Sequence, residues 1–94
     1  MQANDARDLT RSGRVGIVPV DGFPSCYRID VDGVPVGMVH NDGAGWYAVR
    51  PVNGKPVVVD RGRSRRHASV RRLLMSHPTS TFDKHSTTER DDDD

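Results

Sequence analysis

Between residues 15 and 75 the chain breaks into short apolar runs separated by turn residues, and the spacing within each run predicts its type. In "YRIDV", Tyr27, Ile29 and Val31 share one side while Arg28 and Asp30 share the other. That period of two is the mark of a half-buried strand. "VPVGMVH" sets Val34, Val36 and Met38 on one face, and "WYAVRPV" sets Trp46, Ala48 and Arg50 opposite Tyr47 and Val49. Asp32-Gly33, "NDGAG" and Asn53-Gly54 separate these runs from one another and from "KPVVVD". Asn-Gly and Asp-Gly suit two-residue hairpins, because both central positions need positive φ. "RVGIVPV" is apolar enough for a further strand, but Pro19 cannot donate to a ladder and confines that strand to an edge. The pattern predicts three or four short antiparallel strands in a meander.

A single sheet must cover its apolar face with another layer. The one segment able to do so is "SRRHASVRRLLMS", which holds no Gly or Pro until Pro78. Ser64 is a candidate N-cap, and at about 100° per residue Val70, Leu73 and Leu74 form an apolar stripe joined by His67. Arg65, Ser69 and Arg72 take the opposite side. The expected fold is α+β: a three- to four-stranded antiparallel meander over residues 15–75, packed against one C-terminal helix. Residues 1–14 and 76–94 are polar, without sustained periodicity, and are expected to be disordered.

Size and charge narrow the function. A domain near 60 residues buries only about 60% of its unfolded surface, which leaves little core to give up to a deep substrate cavity. The formal net charge is +1, but it is unevenly spread: residues 82–94 carry −4 and end on "DDDD", while residues 1–81 carry +5. The stretch "RGRSRRHASVRRLLM" holds Arg61, Arg63, Arg65, Arg66, Arg71 and Arg72 without one acid. Guanidinium groups in such density suit bidentate contacts to phosphate. The plainer account is that arginines favour helices and keep a small domain in solution. The acidic run is a solubilising tail or a competitor for the same arginines.

The stretches "YRIDVDGVPVGMV", "GWYAV" and "SRRHASVRRLL" together resemble small accessory proteins of actinobacteria and their phages. In those proteins a Gly-Trp opens a strand, followed by a hairpin and a helix that begins Ser-Arg-Arg. The resemblance spans Tyr27 to Leu74 and implies a fold and a provenance of phage or mobile-element type. In architecture the same region is similar to the arm-site DNA-binding domains of tyrosine integrases and to Apetala-type plant domains, which set three strands on one helix and read DNA with the open sheet face. This second likeness is one of fold alone.

Several chemistries find no pattern here. There is no Gly-x-Ser-x-Gly elbow, phosphate-cradling glycine loop or His-Glu-x-x-His, so no enzyme activity is expected. His40, His67, His77, His85 and Cys26 fit no zinc spacing, and no metal or other cofactor is expected. Cys26 stands alone, which excludes an internal disulfide; no signal or membrane-spanning run is visible, and a cytoplasmic location is expected. Asp30, Asp32, Asp42 and Asp60 fall in or beside turns, where carboxylates cap backbone groups. The sequence favours nucleic-acid binding, DNA ahead of RNA, through Arg28, Arg50, Arg61, Arg63, Arg65, Arg66 and Arg72, with Trp46 as an aromatic contact. The alternative is a protein-interaction module that docks on a host or virion protein by an open sheet face or strand edge, with no small-molecule substrate in either case.

Overall fold

The computed structural model describes residues 2–77; the acidic segment from residue 78, including Asp91 to Asp94, lies outside the described residues. Helix α1 (Ala3–Arg11) leads into strands β1 (Val15–Pro19), β2 (Cys26–Val31), β3 (Val34–Asn41), β4 (Trp46–Val52) and β5 (Lys55–Arg63), and helix α2 (Arg66–Met75) follows. The strands form one antiparallel sheet in the order β1-β2-β3-β4-β5, an uninterrupted meander. The class is α+β as the pattern predicts, with five strands in place of three or four and a helix at each end in place of one.

The turn residues account for the hairpins. Asp32 (φ 53°) and Gly33 (φ 80°) join β2 to β3, and Asn53 (φ 53°) and Gly54 (φ 78°) join β4 to β5. Consecutive positive φ values are the signature of the turn that follows strand twist most closely. β1 forms where "RVGIVPV" reads as an edge, with Pro19 opposite Tyr27 at the end of its ladder. Its exposed side needs no donor from that residue, so the proline costs no hydrogen bond.

α1 is the larger departure. "ANDARDLTR" is short and mostly polar, yet Ala6 and Leu9 are buried in the main core beside Ile29, Val31, Val36, Val39, Ala48, Val70, Leu73 and Leu74. Two apolar residues at i and i+3 suffice once another helix supplies the wall, and tertiary packing outweighs weak local periodicity. α1 packs on α2 and β1, while α2 lies over β3, β4 and β5. Both helices therefore cover one face of the sheet and leave the other open.

The strand faces follow the sequence in β2 and β4 but not in β3. Ile29 lies opposite Gly37 and Asp30 opposite Pro35, so Val36 is an extra residue in a β-bulge. The bulge turns Val36 inward together with Val39, and Met38 is left on the open face. The expected Val34, Val36 and Met38 face is thus split. The extra residue also explains Gly37, whose missing side chain admits Leu73 of α2. A Cβ there would stand 2.4 Å from the Val49 carbonyl oxygen and 2.8 Å from Leu73 Cδ1.

In α2, Val70, Leu73 and Leu74 face the sheet as expected, but His67 and Ser69 exchange roles. Ser69 is fully buried and His67 exposed. The Ser69 flank leans over β5, where the Arg72 charge acts on Asp60, whereas His67 lies beside Val15 and Ile17 of β1. Arg65, not Ser64, is the N-cap residue, with extended backbone and no side-chain capping bond.

A candidate nucleic-acid interface between the helices

The eight residues singled out in sequence divide between the two sides of the sheet. Arg28 lies on the open face and forms a bidentate pair with Asp30, Nε to Oδ1 at 2.8 Å and Nη2 to Oδ2 at 3.0 Å. Arg61 is also on that face, its guanidinium 5.5 Å from the centre of the Tyr47 ring. Arg50 points to the helix side, where its Nε is buried without a hydrogen-bond partner. Arg63 pairs with Asp60 in the same bidentate manner as Arg28 with Asp30, at 2.8 and 3.0 Å. Arg66 lies over the Tyr27 ring at 4.6 Å. Arg65 and Arg72 are exposed. Trp46 packs against the core, 6.1 Å from Tyr27 between ring centres, so the aromatic left on the open face is Tyr47.

The carboxylates partly neutralise the set. Asp30 and Asp60 are strand residues that pair with arginines and do not cap turns. The Arg63 guanidinium holds the Asp60 carboxyl below its usual value by hydrogen bonding, against the opposing effect of burial. Asp32, at its turn, binds Arg14 at 2.9 and 2.7 Å. Asp42 behaves as the sequence suggests, accepting the Ala44 amide at 2.9 Å. Arg28 and Arg63 are therefore the least free of the candidates, and no single patch holds all seven arginines.

A different grouping does form. α1 and α2 pack together, and a groove of about 340 Å³ is lined by Ala3 and Arg7 of α1, Arg63 of β5, and Ala68, Arg71, Arg72 and Met75 of α2. Arg63 is the one arginine of the four with a described ion pair, through Asp60. Arg7 is steadied by Asn4, its Nη2 donating to Oδ1 at 3.4 Å. Among the described residues, four guanidinium groups stand against one ion-paired carboxylate, an excess of three positive charges. α1 sorts its side chains to match: Arg7 and Arg11 lie toward α2, and at 100° per residue Asp5 and Asp8 fall on the outer flank.

Arg7, Arg11 and Arg71 escaped the sequence reading of the site. The signal was present, as Ala3, Arg7 and Arg11 recur every four residues while Ala6 and Leu9 supply an inward pair. It gains meaning only when α2 stands beside it.

The open face has its own cluster. His40 Nδ1 and the Tyr47 hydroxyl share a hydrogen bond of 2.9 Å, and the rings meet edge to face. Cys26 is buried there, its Sγ 3.5 Å from Met38 Sδ, and burial pushes the thiol pKa up, which disfavours a thiolate. Among the described residues, no three His, Cys, Asp or Glu side chains come together as metal donors. No described helix is long and apolar enough to cross a membrane.

No protein family model, curated protein or solved structure matches this chain.

Proposed function

We propose that this chain is a small nucleic-acid-binding accessory or regulatory protein whose phosphate contacts centre on the groove between α1 and α2. The observation that carries the reading is the convergence of Arg7, Arg63, Arg71 and Arg72 on one concavity where, among the described residues, Asp60 is the one carboxylate in an ion pair with any of them. Arginine charge with no carboxylate opposite it is available to an external anion, and each phosphate neutralised releases a counterion. Arg65 and Arg11, exposed at the other end of the helix pair, extend the basic surface. Arg28 and Arg61, across the sheet, are not part of it. The phage or mobile-element setting rests on the sequence resemblance.

The test is a salt series with duplex DNA, single-stranded DNA and RNA. Log K should fall linearly with log salt, by about 0.7 to 0.9 per phosphate contacted. Arg7→Gln, Arg71→Gln and Arg72→Gln together should flatten that slope by about three contacts. Equal binding by the parent and the triple variant refutes the reading.

A second reading has one observation in its favour. Val18, Arg28, Met38, Val49 and Val58 stand opposite one another in a row across the five strands of the open face. Met38 and Val58 are 39% and 43% exposed. Such a row suits a protein partner, and binding there would be nearly indifferent to salt.

A further inference from the structure

The arginine groove lies beside the point where the acidic segment leaves the fold. Met75, which lines the groove, is two residues from His77, where residues 78–94 continue the chain. At 1.5 Å of rise per residue, Arg72 and Arg71 stand about 8 and 9 Å back along α2 from His77, and Ala68 about 14 Å. Arg7 and Arg72 are exposed and Arg71 half-buried. Among the described residues none of these three arginines is in an ion pair, whereas Arg63 is held by Asp60. Two alanines and a methionine complete the lining. Such a concavity suits an anion with several charged groups better than an apolar insert.

The chain carries such an anion within reach. Residues 78–94 hold Asp83, Glu89 and Asp91 to Asp94 against Lys84 and Arg90, a net charge of −4 that complements the excess at the groove. Resting on the proposed function, we infer that Asp91 to Asp94 occupy the groove of the free protein and that nucleic acid must displace them to bind. Length permits it. The stretch from His77 to Asp91 can span at most about 50 Å, and the longest axis of the molecule is 42 Å. The aspartate run itself extends over about 10 Å, close to the rise of about 10 Å from Ala68 to Met75 along α2. It is therefore long enough to follow the groove. The arginines of the open face are poorer hosts, since Arg28 is held by Asp30 and Arg61 lies over Tyr47. Exposed ion pairs are individually weak and screened by salt, but attachment to the same chain makes the encounter intramolecular. A nucleic acid that presents many phosphates displaces the run. A small anion with one or two charges competes poorly.

The experiment uses the full chain and a variant with Asp91→Asn, Asp92→Asn, Asp93→Asn and Asp94→Asn, which keeps the length and leaves every described residue in place. Proton–nitrogen NMR spectra of the two are compared at about 50 and about 200 mM salt, with the arginine Nε–H signals included. At the lower salt the signals of Arg7, Arg71 and Arg72 should differ between the proteins while those of Arg28 and Arg61 coincide. The differences should shrink at the higher salt. The variant should bind duplex DNA about tenfold more tightly at about 50 mM salt and within about twofold of the parent at about 200 mM. With Arg7→Gln, Arg71→Gln and Arg72→Gln in place, the four asparagine substitutions should leave the backbone signals of α1 and α2 unmoved. Coincident groove signals in the two proteins overturn the inference even if DNA binds more tightly, because that gain then reflects net charge alone. Shifts spread equally over Arg28 and Arg61 overturn it too, as do groove shifts with no gain in affinity. Each of these results leaves arginine-dependent binding standing. Failure of the proposed function would look different: DNA binding would ignore the Arg7, Arg71 and Arg72 substitutions, whatever the aspartates do.

Discussion

Gly37 and Ser69 show how much of this small core depends on single atoms. Gly37 is the point where β3 meets α2, and an added methyl there would press on a backbone carbonyl that β-pairing holds in place. Leu73 can rotate; the Val49 carbonyl cannot retreat without breaking the β4 ladder. Gly37→Ala should therefore destabilise the protein by about 3 kcal/mol or more, read from the urea midpoint. Ser69 has the opposite character. Its hydroxyl is fully buried and has no hydrogen-bond partner among the described residues, a group that folding desolvates without compensation from them. Ser69→Ala should stabilise by about 1 kcal/mol, through removal of that penalty and through better helix propensity. A loss of stability in thermal melts would mean that the hydroxyl has a partner in solution. In sequence, Ser69 reads as a solvent-facing serine, and nothing in the alternation of β3 marks Gly37. Neither role is local, since each is defined by what the opposite layer brings.

Among the elements, β2, β4 and the two-residue turns are legible residue by residue, because alternation and positive-φ chemistry act within a few positions of the chain. β3 is legible as a strand but not in phase. One bulged residue, Val36, reverses the expected faces after it, and alternation cannot reveal where pairing slips. α1 was hidden for a different reason: nine residues with one large apolar side chain do not make a stable helix unaided. Its stability must come from Leu9 and Ala6 against the core. Leu9→Ala should cost about 2–4 kcal/mol and release the N-terminal helix. Hydrogen exchange of residues 3–11 at the rate of an unstructured peptide, with the sheet still protected, is the expected pattern. Retained protection of α1 in that variant would show that its contacts with β1 and α2 hold it without the leucine.

At the scale of the molecule, three groups stand out among the described arginines. Arg14, Arg28 and Arg63 are held by aspartates, Arg61 and Arg66 lie over tyrosines, and Arg7, Arg71 and Arg72 face the groove. Within the first group, the Arg63–Asp60 pair ties stability to pH. Asp60 has its pKa lowered by Arg63, so the folded state binds fewer protons than the unfolded chain around the carboxylate range. This contribution is present above the unfolded value of about 3.9 and is lost as pH falls through the folded one. Arg63→Gln should raise the Asp60 pKa, seen by carboxyl NMR titration, and flatten the fall in stability below about pH 4. An unmoved titration would show that Arg63 does not hold the carboxylate. The pairing also explains why counting arginines along the chain misplaces the basic surface: Arg28 and Arg63 are tied to Asp30 and Asp60, two and three residues away on their own strands, whereas the stretch around Arg71 holds no acid.

Local chemistry in the chain determined the class of fold, the order of the meander, the hairpin positions and the apolar stripe of α2, since each depends on residues close together in sequence. Tertiary structure decided the rest. It converted a polar N-terminal segment into a second helix, slipped β3 by one residue and gathered arginines of α1, β5 and α2 around one groove. Those outcomes depend on contacts between distant residues, where a partner's position, not a residue's own type, fixes burial and charge.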